Sequence, residues 1–433
     1  MIKFLIGKAC KLVPVPTETK FFCVVFQTIA SRIVTPFSVT LNGVVFWLDC
    51  TLLSVTLIGV TMKNPFTFGR VVDGKDYCPR PEQEALLTQS IRSGHNVAVI
   101  GQRRVGKTSI ILRTANAQPG AHLLYVDLLA VNTVAEIGER IGRAYIKLGH
   151  VNGFLQNAMK LFAKLRPSLS FDPLTGTPSV GLSVERSQSM QTLEDVLDQL
   201  LEGHKRDPLV VVFDEFQDVL RVEDPQKALA LMRGKIQHHG DLPYIFSGSI
   251  RNKMRTIFND PDSAFFKSAI TLELEPLNVE QFESFLRKHF ESGKRTTDPD
   301  LFQNIADLGI QITGDVQQLC WALWEASEPG DIVDKNTITK ALERIFTLER
   351  ISYEDTVSEL TDVQRRCLVS LVKTGGQSIH SKLFKETSGV AQSSSITKAV
   401  NRLVERRIVY KHRKTYQAAN PFFAVWLSQK EYL

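Results

Sequence analysis

The segment Gly101–Thr108 constrains the fold more than any other, because it matches the phosphate-binding loop pattern G-x-x-x-x-G-K-[ST] without a mismatch. Residues 96–100 before it are typical of a buried strand, and residues 109–114 after it have the pattern of a helix start. A strand, a glycine loop and a helix in this order aim backbone N–H groups and the positive end of a helix dipole at one point. The sequence therefore predicts a site for phosphate groups.

The residues of this loop have separate expected roles. Gly101 and Gly106 allow turns that a Cβ atom would obstruct. Lys107 is expected to reach the β- and γ-phosphates of ATP, and the Thr108 hydroxyl to bind Mg²⁺. The two arginines of the loop are expected either to touch phosphate or to face solvent. The residues predicted to bind ATP are Gly101, Gln102, Arg103, Arg104, Val105, Gly106, Lys107, Thr108 and Ser109.

Apolar runs typical of strands alternate with helical patterns through the middle of the chain. Such alternation predicts an α/β fold, in which helices cover both faces of a parallel sheet. Residues 168–171 and 179–184 instead alternate polar and apolar around a turn-forming segment, which predicts an inserted β-hairpin. The runs predicted as sheet strands lie at residues 96–100, 123–128, 209–213 and 242–246.

Two acidic residues, Asp214 and Glu215, directly follow the most apolar of these runs. Ligand sites in parallel sheets lie at the carboxyl ends of the strands, where the phosphate-binding loop is also expected. ATP hydrolysis needs one carboxylate to hold the water shell of Mg²⁺ and a second group to orient the attacking water. Asp214 fits the first role and Glu215 the second. Thr108 and Asp214 are therefore the predicted metal-binding residues.

The segment Ser247–Ser249 also ends a predicted strand and is expected at the same edge of the sheet. Ser249, or alternatively Ser247, is a candidate for a hydrogen bond to the γ-phosphate or to the water. The alternative role is an N-cap for the following helix. The predicted catalytic residues are Glu215, Lys107 and Ser249.

The C-terminal region is strongly basic. The whole chain has a formal net charge of +6, and residues 360–433 contain thirteen Lys and Arg against four Asp and Glu. Three helical patterns followed by two short strands with a basic tip predict a winged helix. Duplex DNA is its expected partner, and the alternatives are packing on the nucleotide domain or binding a protein. The expected DNA contacts are Thr397, Lys398, Asn401, Arg402, Arg406, Arg407, Lys411, Arg413 and Lys414.

Residues 1–61 differ in texture from the rest, since residues 41–60 are almost continuously apolar and long enough to span a bilayer. The lysines before this segment would keep its N-terminal side in the cytoplasm, so a span would place the ATP-using domain outside the cell, unless residues 21–30 and 41–60 enter the membrane together as a hairpin. We expect a true start at Met62 and a cytoplasmic protein, with a membrane anchor or a soluble extension as alternatives. The six cysteines form no C-x-x-C pair and are expected to be reduced thiols.

From residue 64 onward the chain resembles the AAA+-type ATPases of the prokaryotic and archaeal ATPase family, near its STAND and Orc/Cdc6-like branches. The resemblance implies a P-loop ATPase core, a helical lid and a winged helix, with ATP and Mg²⁺ as cofactors and self-association as a further expectation. The predicted domains are an extension at 1–61, the core at 62–275, the lid at 276–350 and the winged helix at 356–433. The motifs that carry the resemblance are Asn64-Pro65-Phe66 with Arg80, Gly101–Thr108, and residues 212–217, 246–249, 314–324 and 420–427, together with the hairpin insert.

The sequence departs from the family pattern in two places, after the predicted strand that ends in Ser247–Ser249 and in the lid. Where many relatives carry an arginine, residues 264–267 read Ala-Phe-Phe-Lys, and where the lid often has Gly-x-Pro, residues 314–316 read Gly-Asp-Val. No arginine stands clearly at the second sensor position. Arg80 is expected either to pair with an acidic neighbour or to lie near the nucleotide. These departures argue against rapid hydrolysis driven by an oligomer, and they affect the role of Glu215 less.

Two hypotheses about function follow. In the first, the protein is a slow Mg²⁺-dependent ATPase that acts as a molecular switch coupled to DNA or to a protein partner. In the second, it is an ATP-binding regulatory module that does not hydrolyse ATP and uses its winged helix for protein contact.

Overall fold

The computed structural model describes residues 37–41, 44–48, 63–152, 167–171, 178–182, 189–277, 279–412 and 414–429. The chain divides into two units, residues 1–63 and 64–433. In the first, strands β1 (Phe37–Leu41) and β2 (Val44–Leu48) form an antiparallel hairpin. The rest of the apolar segment at 41–60, and Met62, lie outside the described residues. Within the part of the chain that is described, no helix is both long and apolar enough to cross a membrane.

The second unit contains eleven described strands. They are β3 (Val97–Ile100), β4 (His122–Asp127), β5 (Pro167–Phe171), β6 (Pro178–Leu182), β7 (Leu209–Asp214), β8 (Tyr244–Gly248), β9 (Ile270–Glu273), β10 (Thr296–Thr297), β11 (Ile332–Val333), β12 (Val409–His412) and β13 (Thr415–Ala418).

The helices of the described residues are numbered in the same way. They are α1 (Pro81–Arg92), α2 (Lys107–Asn116), α3 (Val134–Asn152), α4 (Ser189–His204), α5 (Pro225–Ile236), α6 (Arg251–Phe258), α7 (Val279–Ser292), α8 (Leu301–Asp307), α9 (Thr313–Glu325), α10 (Lys335–Ser358), α11 (Asp362–Lys373), α12 (Lys382–Ser388), α13 (Ser393–Glu405) and α14 (Pro421–Gln429), with 3-10 turns at Gly74–Asp76 and Phe216–Arg221.

A five-stranded parallel sheet in the order β4-β7-β8-β3-β9 forms the centre of the second unit. Alternate residues of β7 pack on opposite faces: Val210 and Val212 lie against α1 and α2, and Val211 and Phe213 against α3 to α6. Every residue of β3, β7 and β8 is buried, because helices cover both faces. The α/β fold class is confirmed.

The predicted hairpin insert is present, since β5 and β6 pair antiparallel from Pro167 opposite Leu182 to Phe171 opposite Pro178. The residues of the turn between them, 172–177, lie outside the described part of the chain. The short parallel pair β10–β11 was not predicted. Its two-residue strands are too short for a hydrophobic alternation to be read from sequence.

The lid and the winged helix share one hydrophobic core, to which α7 to α14 all contribute. Helix α10 runs without a break from its capping box at Asp334 and Thr337 to Ser358. The predicted border between lid and winged helix, at 350–356, therefore falls inside this helix. The order α11, α12, α13, β12, β13 agrees with the predicted winged helix, and β12 and β13 form its antiparallel wing.

Candidate nucleotide site

The loop between β3 and α2 has the backbone geometry that its glycines suggest. Gly106 adopts a φ of +98° and precedes the first residue of α2. A Cβ atom at Gly101 would lie 2.5 Å from the Leu274 carbonyl oxygen, so only glycine fits there. Arg104 also has a positive φ, of +65°. The loop is thus held in a conformation in which side chains at its two glycines would be strained or excluded.

Lys107 is buried and bonded to its own loop. Its ammonium donates to the carbonyl oxygens of Gly101 and Gln102, both at 3.0 Å. Burial lowers the pKa of Lys107, and the charges of Glu215 and Asp214 oppose this shift. Both acidic groups therefore lie close enough to act on the ammonium. A phosphate group would offer the buried cation a charged partner in place of two neutral carbonyls.

Asp214 stands at the carboxyl end of β7 and accepts hydrogen bonds from three elements. Its Oδ2 accepts from the Thr108 hydroxyl at 3.0 Å and from the Tyr125 hydroxyl at 2.6 Å, while Oδ1 accepts from the Glu215 N–H at 2.9 Å. The structure thus places the two predicted metal-binding side chains in direct contact. Burial and the charge of Asp214 raise the pKa of Tyr125, which keeps the phenol a neutral donor.

Glu215 is positioned by its backbone and by two polar neighbours. Its φ of +51° is unusual for a residue with a side chain. Its Oε2 accepts from the Ser249 hydroxyl at 2.7 Å and from the Gln217 amide, and Gln217 in turn accepts from the Ser249 N–H at 3.2 Å. Ser247 is fully buried and its hydroxyl has no partner among the described residues. Of the two candidate serines, the structure brings Ser249 to Glu215.

Tyr125 and Gln217 are site residues that the sequence analysis missed. Gln217 ends the 212–217 motif that carries the family resemblance, but the sequence analysis gave it no role in the site. Tyr125 lies on β4, and its contact with Asp214 depends on β4 pairing with β7, 89 residues further along the chain. The sequence shows a polar residue near the end of an apolar strand. It does not show which strands are neighbours in the sheet.

Two of the three arginines near the loop, Arg80 and Arg104, have structural partners. The Arg80 guanidinium is buried and donates to the carbonyl oxygens of Val105 and Glu275, both at 2.9 Å. Arg80 therefore holds the loop in place by hydrogen bonds to main-chain carbonyl groups. Arg104 forms an ion pair with Asp315 of α9, while Arg103 is exposed. Ser109 accepts a hydrogen bond from the Val72 N–H at 3.2 Å.

The expected DNA-binding residues are placed unequally. Thr397, Lys398, Asn401 and Arg402 are exposed on one open face of α13, which also carries Glu405, the ion-pair partner of Arg402 at 2.6 Å. Arg406 forms an ion pair with Glu359, at the end of α10. Arg407, Lys411 and Lys414 are exposed, and Arg413 lies outside the described residues. The exposed face of α13 therefore brings four of the expected contact residues together.

Comparisons with known proteins agree with this architecture. The family model described as "Probable winged helix domain" matches residues 351–429. The structure of the Walker-type ATPase of Pyrococcus abyssi superposes with a TM-score of 0.55 at 18% identity, covering 84% of this chain and 99% of that chain. The chain is thus similar to Walker-type ATPases and has their fold, that of P-loop ATPases, with a C-terminal winged helix. No curated protein matches it in sequence.

Two further solved structures are similar over the same region at lower scores. The Aeropyrum pernix ORC2 protein covers 85% of this chain and 96% of its own at 13% identity, with a TM-score of 0.49. The Aeropyrum pernix ORC1 protein in complex with DNA covers 83% of this chain and 98% of its own at 15% identity, with a TM-score of 0.44. The fold assignment rests on the Pyrococcus abyssi protein.

Proposed function

We propose that this protein binds ATP with Mg²⁺ and hydrolyses it slowly as a molecular switch. One observation carries the proposal: the side chains of Lys107, Thr108, Asp214, Glu215 and Ser249 meet at the carboxyl edge of one parallel sheet. Lys107 is buried there and donates to two loop carbonyls, and the Thr108 hydroxyl lies 3.0 Å from Asp214. Cation, hydroxyl and carboxylates in this arrangement suit a triphosphate with its metal ion.

The residues present fit a magnesium ion. Mg²⁺ prefers oxygen ligands and usually keeps several waters, and the Thr108 hydroxyl and Asp214 carboxylate offer oxygens from two elements that already touch. When bound, the ion neutralises charge on the phosphate oxygens. Tyr125 and the Glu215 N–H hold the Asp214 carboxylate in place for this role.

Each remaining residue has a distinct proposed task. Lys107 binds the β- and γ-phosphates once its bonds to the loop carbonyls are exchanged for phosphate. Glu215 orients the attacking water and accepts its proton. Ser249 and Gln217 both donate to the same oxygen of Glu215, which restrains the orientation of the carboxylate.

The test is phosphate release by the full chain beside Glu215→Gln. The amide retains the size of the side chain but accepts no proton, so we expect release to fall about 100-fold or more while binding of a fluorescent ATP analogue persists. Lys107→Ala should lose binding as well. If the wild-type protein releases phosphate no faster than Glu215→Gln, with and without duplex DNA, the protein is the non-hydrolysing regulatory module of the second hypothesis.

We further propose that duplex DNA is the partner of the winged helix. The exposed face of α13 supports this, because Thr397, Lys398 and Asn401 combine phosphate-binding and base-reading groups on one side of a helix. Arg402 lies on the same face, in an ion pair with Glu405. The basic excess of residues 360–433 adds long-range attraction. A protein partner remains the alternative, and the salt dependence of duplex binding separates the two.

A further inference from the structure

The phosphate-binding loop is bonded directly to the lid through Arg104. The Arg104 guanidinium pairs with the Asp315 carboxylate and donates to the Gln318 amide oxygen at 2.8 Å. The Arg104 carbonyl oxygen accepts from the Gly314 N–H at 2.8 Å. Both the side chain and the main chain of one loop residue are therefore held by the first turns of α9.

The fit at this contact is close. A Cβ atom at Gly314 would lie 2.9 Å from both the Cβ and the carbonyl oxygen of Arg104, so the helix approaches the loop more nearly than any side chain would allow. The side chain of Asp315 is 3% exposed, and that of Arg104 is 39% exposed. A carboxylate buried to this degree depends on its partner, because an unpaired charge away from water is strongly destabilising. Movement of the loop at Arg104 must therefore move α9 or break the pair.

The contact continues toward the winged helix. Helix α9 packs against α10, which runs to Ser358, and the last turns of α10 carry Tyr353. Tyr353 packs on Phe423 and Trp426 of α14, with ring centroids 5.2 and 5.4 Å away, and receives a hydrogen bond from Asn420. Burial raises the pKa of Tyr353, and the charges of Arg104 and Asp315 also act on it. The ion pair thus lies near the place where α10 meets the winged helix.

We propose that Arg104, Gly314, Asp315 and Gln318 form a latch that couples the state of the phosphate-binding loop to the winged helix. Arg104 serves the lid rather than the nucleotide phosphates. A nucleotide that reshapes the loop changes the geometry at Arg104, and the buried pair transmits that change to α9, α10 and α14. The latch rests on the proposed function, because it gives ATP binding a route to the domain proposed to hold DNA.

Hydrogen–deuterium exchange of the full chain, with and without Mg²⁺ and a non-hydrolysable ATP analogue, tests the latch. In the wild-type protein we expect the analogue to slow exchange in α2 and to change exchange in α14. Asp315→Asn removes the charge of the buried partner at constant size. It should leave the response of α2 in place and reduce the response of α14 about fivefold or more, the lower range of allosteric coupling.

A matched control is Asp307→Asn, the same change on an exposed lid residue whose carboxylate accepts from Gln303 of the same helix. It should respond as the wild type does. Gln318→Leu removes the amide oxygen that accepts from Arg104 and should reduce the exchange response of α14 in part. This second variant tests the latch even if Asp315→Asn does not fold.

The outcomes distinguish a failure of the latch from a failure of ATP binding. An unchanged response of α14 in both Asp315→Asn and Gln318→Leu overturns the latch. So does a wild-type protein in which α2 responds to the analogue and α14 does not. Absence of any response in α2 of the wild type would instead contradict ATP binding itself.

Discussion

At the scale of single residues, Asp214 shows how the site is assembled. Its two oxygens accept from Thr108 of α2, from Tyr125 of β4 and from the N–H of Glu215. Donors from three elements fix the carboxylate in one rotamer before any ligand arrives. Preorganisation of this kind lowers the cost of binding a metal ion, because the ligand group need not be ordered at that moment.

Tyr125→Phe tests this preorganisation. The phenyl ring retains the packing but removes the donor to Asp214, so the Mg²⁺ concentration for half-maximal binding of ATP should rise about tenfold, as for other outer-shell partners of metal ligands. Binding of the nucleotide without Mg²⁺ should change little. Titration of Mg²⁺ against a fluorescent ATP analogue measures both. Tyr410→Phe, the same change on the wing, is the control, and a Tyr125→Phe protein with wild-type Mg²⁺ dependence would show that Thr108 and the Glu215 N–H suffice.

Asp315 should give the protein a distinctive pH dependence. Burial raises its pKa to about 6 although Arg104 opposes the shift, so desolvation outweighs the ion pair. Because the folded pKa exceeds the unfolded value, the stabilising contribution is fully present below the unfolded pKa, near 4, and is lost as pH rises through about 6. Between pH 5 and 7, the wild type should lose about 1 kcal/mol of unfolding free energy relative to Asp315→Asn.

Urea unfolding at a series of pH values measures this difference. Besides burial, Arg104 acts on Asp315 through its charge and its hydrogen bond, and Gln318 accepts a hydrogen bond from the same guanidinium. A difference between the two proteins that stays constant from pH 5 to 7 would mean that Asp315 has an ordinary pKa in the folded protein.

At the scale of elements, the wing is held to the winged helix by a close backbone contact. The N–H of Tyr416 in β13 donates to the Gly376 carbonyl oxygen at 3.0 Å, in the turn after α11. A Cβ atom at Gly376, whose φ is +68°, would lie 1.7 Å from the Tyr416 carbonyl oxygen. The neighbouring Gly375 has a φ of +70° and open space around it. Substitution of Gly376 would therefore meet both a steric clash and backbone strain, whereas substitution of Gly375 would meet backbone strain alone.

Gly376→Ala should destabilise the protein by about 3 kcal/mol or more, from overpacking added to left-handed strain. Gly375→Ala carries the strain alone and should cost about 1 kcal/mol. Thermal unfolding of both variants measures the difference. Equal effects would indicate that β13 moves to admit the new methyl group.

At the scale of the whole molecule, the packing divides the second unit in a way that suits a switch. Two hydrophobic clusters lie on the two faces of the sheet, and a third runs through both lid and winged helix. Because the lid and the winged helix share a core, a displacement of α9 affects the packing of both. The phosphate-binding loop touches this shared body through Arg104.

The charge of the molecule gives a prediction about DNA. Lys398→Ala on α13 should weaken binding of duplexes of any sequence and reduce the slope of log affinity against log salt by about 1, since one phosphate contact is lost. Lys340→Ala, on the exposed side of α10, changes the net charge equally and should leave the slope unchanged. Fluorescence anisotropy at several salt concentrations measures both. Equal slopes for Lys398→Ala and the wild type would favour a protein partner.

The sequence by itself determined the parts of this protein that depend on local order. The phosphate-binding loop, the acidic pair after β7 and the helix and strand order of the winged helix each lie within a continuous stretch. Residue spacing there reports backbone geometry directly, because hydrophobic period and glycine positions act over a few residues. The α/β fold followed from the alternation of such stretches.

Only the tertiary structure decided how distant side chains meet. The choice of Ser249 over Ser247 as the partner of Glu215, and the contact of Tyr125 with Asp214, depend on side-chain direction and strand order. Arg104 meets Asp315 across 211 residues of chain. The loop that the sequence marks as a phosphate site is therefore also a contact with the lid. Chain separation carries no information about such contacts, which arise because packing two elements brings together side chains that no local pattern relates.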